Sequence, residues 1–152
     1  MNALTNTILI VDDSEDDVFA LKRAMRKAHI ANPQQVLTHG QAAIDYLSGS
    51  GKYSDRAQFP LPFLVFLDLK IPCRDGFEVL GWIREQPGLS ELAVVILTGS
   101  VAEKDDRHAC QLGAHSYLLK PPMASDLERL MQPMEHHWVH AEGATVDATW
   151  RR

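Results

Sequence analysis

Five short apolar runs recur along the chain: Ile8 to Val11, Val36 to Thr38, Phe63 to Leu67, Ala93 to Leu97 and Tyr117 to Leu119. None alternates with polar positions. A strand that is apolar on both faces must be covered on both faces, which is the condition of a parallel sheet sandwiched between helices. Helical patterns fill the intervals. Ser14 is placed to cap a helix carrying Val18, Leu21, Met25 and Ala28 on one stripe, with Asp16 and Asp17 favourable at its positive end. Gln41 to Ser48 is a shorter second helix. Gly76, Val79, Leu80 and Ile83 give a third, stopped by Pro87 and Gly88, and Glu103 to Leu112 a fourth, closed by Gly113. The last stripe, Leu127, Leu130, Met131, Met134 and Trp138, is kinked or ended by Pro133. Alternating strand and helix predicts an α/β doubly wound (βα)5 domain: a five-stranded parallel sheet in a flavodoxin-like three-layer sandwich, with right-handed crossovers.

A chain of 152 residues suffices for one such domain, here expected over residues 1–132 and followed by a tail, 133–152. The stretch Gly49 to Pro62 is long for a βα connection and rich in turn residues, so it reads as an exposed loop without catalytic content. A net charge of −5 without a Lys/Arg cluster argues against a nucleic-acid surface. Cys73 and Cys110, the two cysteines, are too few for a disulfide scaffold and read as buried free thiols in a reducing compartment. The N-terminal residues hold no basic region and no long apolar run, so no membrane contact is expected and the location is read as cytoplasmic.

In open α/β sheets, ligands bind beyond the carboxyl ends of the strands. Here those ends carry Asp12 and Asp13 on the first run, Asp68 on the third, Thr98 on the fourth and Lys120 on the fifth. If the strands are parallel, these side chains converge on one rim. Clustered carboxylates repel, and a hard divalent cation with oxygen ligands relieves that repulsion; Mg²⁺ is the natural candidate because it leaves positions for a phosphate oxygen. A carboxylate can attack phosphorus and become an aspartyl phosphate, with Lys120 and Mg²⁺ neutralising the oxygens. Thr98 can donate to an oxygen that arrives only with the phosphoryl group, which is the logic of a switch.

The segments ILIVDDSEDD (8–17), FLDLKIPCRDG (66–76), VVILTGS (94–100) and SYLLKPP (116–122) together resemble the response-regulator receiver domain, a CheY-like fold, over residues 7 to 132. The resemblance implies that Asp68 is the phosphoacceptor. It further implies that Asp13 and Asp68 are direct Mg²⁺ ligands together with the backbone carbonyl of Lys70, and that Asp12 acts through water. Thr98 and Tyr117 take the positions of the switch hydroxyl and aromatic. Lys120 takes that of the phosphoryl-holding lysine, with a cis bond to Pro121. Ile71 before Pro72 replaces the family's frequent methionine, a volume-conserving change. Lys70 and Ser100 occupy positions that flank the phosphoryl group and modulate its lifetime. The Gly49–Pro62 insertion and the tail with His136, His137, Trp138 and His140 resemble single-domain regulators that partner phytochrome-type histidine kinases.

Separately, these residues say little: Asp12 and Asp13 could merely cap a helix, Lys120 could be a solvated lysine, and Tyr117 a core tyrosine. Their value is collective. His136 and His140 share a helical face but lack a zincin glutamate, so they read as a solvated helix end. Trp138 beyond Pro133 has no evident buried partner and suggests a homodimer or kinase contact. The expected function is acceptance of a phosphoryl group from a histidine kinase on Asp68, without enzymatic turnover of another substrate. The alternatives are a pseudo-receiver scaffold and an aspartate-based phosphohydrolase; the intact acid cluster counts against the first. The second requires two aspartates two residues apart at the first strand's end, and Asp12-Asp13-Ser14 lacks that pattern.

Overall fold

The computed structural model describes residues 5–89, 92–99, 114 and 116–132, with the side chain of Met131 excepted. The helix expected over Glu103–Leu112, with Ser100, Cys110 and Gly113, lies outside the described residues. So do Pro133, Met134, His136, His137, Trp138 and His140.

Five parallel strands, β1 (Ile8–Val11), β2 (Gln34–Leu37), β3 (Leu64–Asp68), β4 (Ala93–Thr98) and β5 (Ser116–Leu119), form one sheet in the order β2-β1-β3-β4-β5. Four helices are described: α1 (Glu15–Lys27), α2 (Gly40–Ser48), α3 (Gly76–Glu85) and α4 (Ala124–Met131). The chain runs from β1 outward to β2 and then returns past β1 to β3. The order therefore reverses between β1 and β3, and the crevice at such a reversal is where this class of sheet binds ligands.

Successive strand residues point to opposite faces, and both faces are dry. Leu9, Val11, Val65, Leu67, Val94 and Ile96 pack with Tyr46, Leu47, Val79, Leu80 and Ile83 beneath α2 and α3. Ile8, Ile10, Leu64, Phe66, Val95 and Leu97 pack with Leu21, Met25, Leu127 and Leu130 beneath α1 and α4. This two-sided cover is why β1, β3 and β4 read as unbroken apolar runs. The edges differ from that expectation. β2 starts at Gln34 rather than Val36, its Val36 is exposed, and Leu119 of β5 is exposed, because an edge strand has a neighbour on one side only.

Capping follows the sequence. The Ser14 hydroxyl accepts from Asp17 N at 3.3 Å, and the acidic first turn Glu15, Asp16, Asp17 opposes the basic last turn Arg26, Lys27. No helix among the described residues is long and apolar enough to cross a membrane.

The 49–62 stretch departs from the expected exposed loop. It forms a short 3-10 turn (Gly51–Ser54) and places Tyr53 and Leu61 in the core. Tyr53 and Phe59 stack around Tyr46 with ring centroids 5.0 to 5.9 Å apart. The Arg56 guanidinium donates to the carbonyls of Tyr46 (2.7 Å) and Leu47 (2.9 Å), satisfying the open C-terminal carbonyls of α2 and opposing its dipole. Aromatic residues without periodicity carry no packing signal in sequence, so only the tertiary arrangement shows this.

Tyr46 is fully buried and its hydroxyl donates to Pro60 O at 2.7 Å. Burial pushes its pKa from 10.0 up to about 12. The folded state thus holds this proton more tightly than the unfolded chain, so the associated stability is complete below pH 10 and is lost as pH climbs from 10 toward 12. About 2 kcal/mol should disappear over that interval. Urea unfolding at two pH values bracketing it should show the loss in the parent protein and a smaller loss in Tyr46→Phe; equal losses would refute the assignment.

Candidate functional site

Because all five strands are parallel, their carboxyl ends meet at one edge. Asp12 and Asp13 follow β1, Asp68 closes β3, Thr98 closes β4 and Lys120 follows β5. Backbone bonds across the edge hold these positions: Asp12 N to Leu37 O (2.9 Å), Leu69 N to Leu97 O (3.3 Å) and Lys120 N to Thr98 O (2.8 Å). Carboxylate oxygens of Asp12, Asp13 and Asp68 lie within 4.8 Å of one another. Asp12 is 1% exposed and Asp68 7%, whereas Asp13 faces solvent.

Two buried carboxylates at this distance require compensation, and Lys120 supplies part of it. Its Nζ lies 2.9 Å from Asp12 Oδ2 and 3.3 Å from Asp68 Oδ2. Ser14 N donates to Asp12 Oδ1 (3.0 Å) and Lys70 N to Asp68 Oδ1 (3.3 Å). Asp12 Oδ2 is buried against Lys120 Nζ, whose ammonium is shared with Asp17 and Asp68. Burial pushes the Asp68 pKa above the carboxylate range, with Lys120 opposing and the Asp12 charge adding to the rise. Burial alone would lower Lys120. Hydrogen bonds to Asp17 and Asp12 and the charges of Asp68 and Asp12 outweigh it and hold the ammonium above the ordinary lysine value.

The set of three clustered carboxylates, two of them buried, fits a hard divalent cation. An open cleft of about 570 Å³ leads to it, lined by Asp17, Asp68, Lys70, Gly99, Lys120 and Pro121.

The 69–76 connection is pinned against this edge. Gly76 N donates to Leu69 O at 3.0 Å, and a Cβ at Gly76 would stand 2.7 Å from the Asp68 carbonyl oxygen, so only glycine permits that approach. Gly40 N donates to Pro72 O, and a Cβ at Gly40 would collide with Arg74 O at 2.1 Å. Cys73, expected to be buried, is exposed and has φ of 72°, because the tight connection turns it outward in the left-handed region. The Lys120–Pro121 bond is cis, as the family resemblance implies.

Thr98 is buried at the edge. Tyr117 is half-buried on β5, against the core face shared with α2 and α3. One site residue escaped the sequence reading. Asp17, read there only as a helix-dipole partner, accepts from Lys120 Nζ at 2.7 Å across 103 residues of sequence. Its presence in an acidic helix start was visible; its facing Lys120 depends on how α1 is set against the sheet edge.

The family model described as "Response regulator receiver domain" matches residues 8–132. Response regulator Rcp1 of Synechocystis sp. is 34% identical over 132 residues, which are 87% of this chain and 88% of Rcp1. The crystal structure of the Mn(2+)-bound form of Rcp1 superposes with a TM-score of 0.68, covering 93% of this chain and 99% of that one. The phosphorylated cyanobacterial phytochrome response regulator RcpA superposes with a TM-score of 0.70 at 29% identity, covering 94% and 98% of the respective chains. With its sheet order, its acid-lined switch point and these matches, the chain belongs to the response-regulator receiver family of two-component signalling proteins.

Proposed function

We propose that the protein accepts a phosphoryl group from a histidine kinase on the carboxylate of Asp68, with Mg²⁺ as the metal, and thereby changes its contacts with other proteins. The observation that carries this reading is the convergence of Asp12, Asp13, Asp68 and Lys120 at the β1/β3 reversal. In the transfer, one Asp68 oxygen bonds phosphorus as the donor's P–N bond breaks, and the donor nitrogen keeps the electron pair. Asp68 must be ionised to attack. Lys120 favours that form against the upward pull of burial, and a bound cation would add to it.

The carboxylates of Asp13 and Asp68 and the backbone carbonyl of Lys70 would hold Mg²⁺, with Asp12 acting through water. When bound, the ion neutralises charge on the phosphoryl oxygens. Lys120 binds the transferred group from the β5 side. Its ammonium stands 3.3 Å from Asp68, within reach of the incoming group. Thr98 donates its hydroxyl to a phosphoryl oxygen once the group is present, and Tyr117 follows the resulting shift of the edge. The added charge, about −1.5 to −2, is large enough to drive such a rearrangement.

An apolar recess of about 630 Å³ adjoins the cleft through Pro121 and carries the exposed side chains of Phe19 and Met123 beside Arg23 and Lys27. Its continuity with the path to Asp68 supports docking of the phosphodonor protein there. The likeness to RcpA, a phytochrome response regulator, supports a phytochrome-type kinase as that donor. The Mn²⁺ form of Rcp1 supports a divalent metal at the acid cluster.

Incubation with acetyl phosphate and Mg²⁺ should add one phosphate to the intact mass; none should appear in Asp68→Asn or with EDTA. Labelling that survives Asp68→Asn would place the acceptor elsewhere. Asp13→Asn should weaken Mg²⁺ binding at least ~10-fold by titration calorimetry, since loss of even supporting groups costs that much. Thr98→Ala should still be phosphorylated, but its affinity for a partner should no longer depend on phosphorylation. If that dependence persisted, Thr98 would not be the switch hydroxyl.

A further inference from the structure

Lys120 Nζ is shared by three carboxylates, and they are not equivalent. Asp17 lies nearest at 2.7 Å, Asp12 at 2.9 Å and Asp68 at 3.3 Å, while the side chains are 38%, 1% and 10% exposed. Removing the ammonium from Asp12 or Asp68 would leave a buried anion without compensation, which is strongly unfavourable. Removing it from Asp17 exchanges a partly exposed ion pair for hydration, at little cost. Of the three contacts, the one to Asp17 is therefore both the shortest and the one most readily released.

We propose that Asp17 is a positioning residue that acts as a latch on Lys120. In the resting protein it draws the ammonium toward the first turn of α1, and phosphorylation requires Lys120 to exchange the Asp17 carboxylate for a phosphoryl oxygen. This rests on the assignment of Asp68 as acceptor. The exchange moves no proton: Lys120 stays an ammonium, Asp17 stays a carboxylate, and the phosphoryl oxygen takes the vacated hydrogen bond.

Position strengthens the inference. Asp17 also lines the cleft through which a donor reaches Asp68, together with Lys70, Gly99, Lys120 and Pro121. Its charge thus faces any anionic donor on the way in. Competition for Lys120 and repulsion at the mouth act in the same direction, restraining phosphorylation by small anionic donors.

The test compares Asp17→Asn, Asp17→Glu and Asp16→Asn in the full chain. Asp16 lies in the same helical turn and is exposed, so Asp16→Asn makes the same change in net charge and helix dipole without touching Lys120. With acetyl phosphate, where the P–O bond breaks and acetate leaves with the electron pair, Asp17→Asn should raise the second-order phosphorylation rate constant about three- to fivefold, the scale of one partly exposed ion pair. Beryllofluoride affinity in the presence of Mg²⁺, read by fluorine-19 NMR, should rise by a similar factor. Asp17→Glu should return both quantities toward the parent values, and Asp16→Asn should leave them unchanged. The latch is overturned if Asp17→Asn behaves as Asp16→Asn does, if its rate and affinity fall, or if Asp17→Glu fails to restore them. A parent protein that takes no phosphate on Asp68 would instead overturn the proposed function, so the two failures are distinguishable.

Discussion

Two buried carboxylates, Asp12 and Asp68, stand at adjacent strand ends and can both ionise only if cations are brought to them. That requirement organises the edge of the sheet. Lys120 arrives from β5 to compensate part of the charge, and its one positive charge is divided among Asp12, Asp17 and Asp68. The acid cluster that remains is of a kind that fits a hard divalent ion. A fully satisfied cluster would be inert, whereas this one is poised between repulsion and neutralisation.

The rest of the fold serves to keep that edge rigid. Every residue of β1, β3 and β4 is buried, so the strands that carry Asp12, Asp68 and Thr98 are clamped from both faces. The connection after Asp68 is equally constrained: Gly76 and Gly40 permit backbone contacts that any Cβ would block, tying the starts of α2 and α3 to the loop that follows Asp68. A cluster so held can respond to an added charge mainly through its least constrained members, and the exposure of Asp17 makes the Lys120–Asp17 contact the softest of them.

Where the protein is less constrained, its edges and insertions depart from simple pattern. The 49–62 insertion is stitched to α2 by Arg56 and by the rings of Tyr46, Tyr53 and Phe59, so a segment rich in turn residues becomes part of the core. Cys73, a residue type that favours the interior, stands outside, because a left-handed turn in a tight connection decides its direction rather than its hydrophobicity.

The strand and helix alternation, the two-sided burial of the central strands, and hence the gathering of Asp12, Asp13, Asp68, Thr98 and Lys120 at one edge were all legible in the order of residues. The reason is local: unbroken apolar runs mark strands covered on both faces, and parallel strands all end at the same edge of the sheet. Long-range packing sets that Asp17 faces Lys120, that three carboxylates share the one ammonium, and that the long insertion packs. The first of these depends on the rotation of α1 about its axis and on its setting beside the residue that follows β5, 103 positions away. Such long-range geometry is set by the packing of the whole core, and no window of sequence contains it.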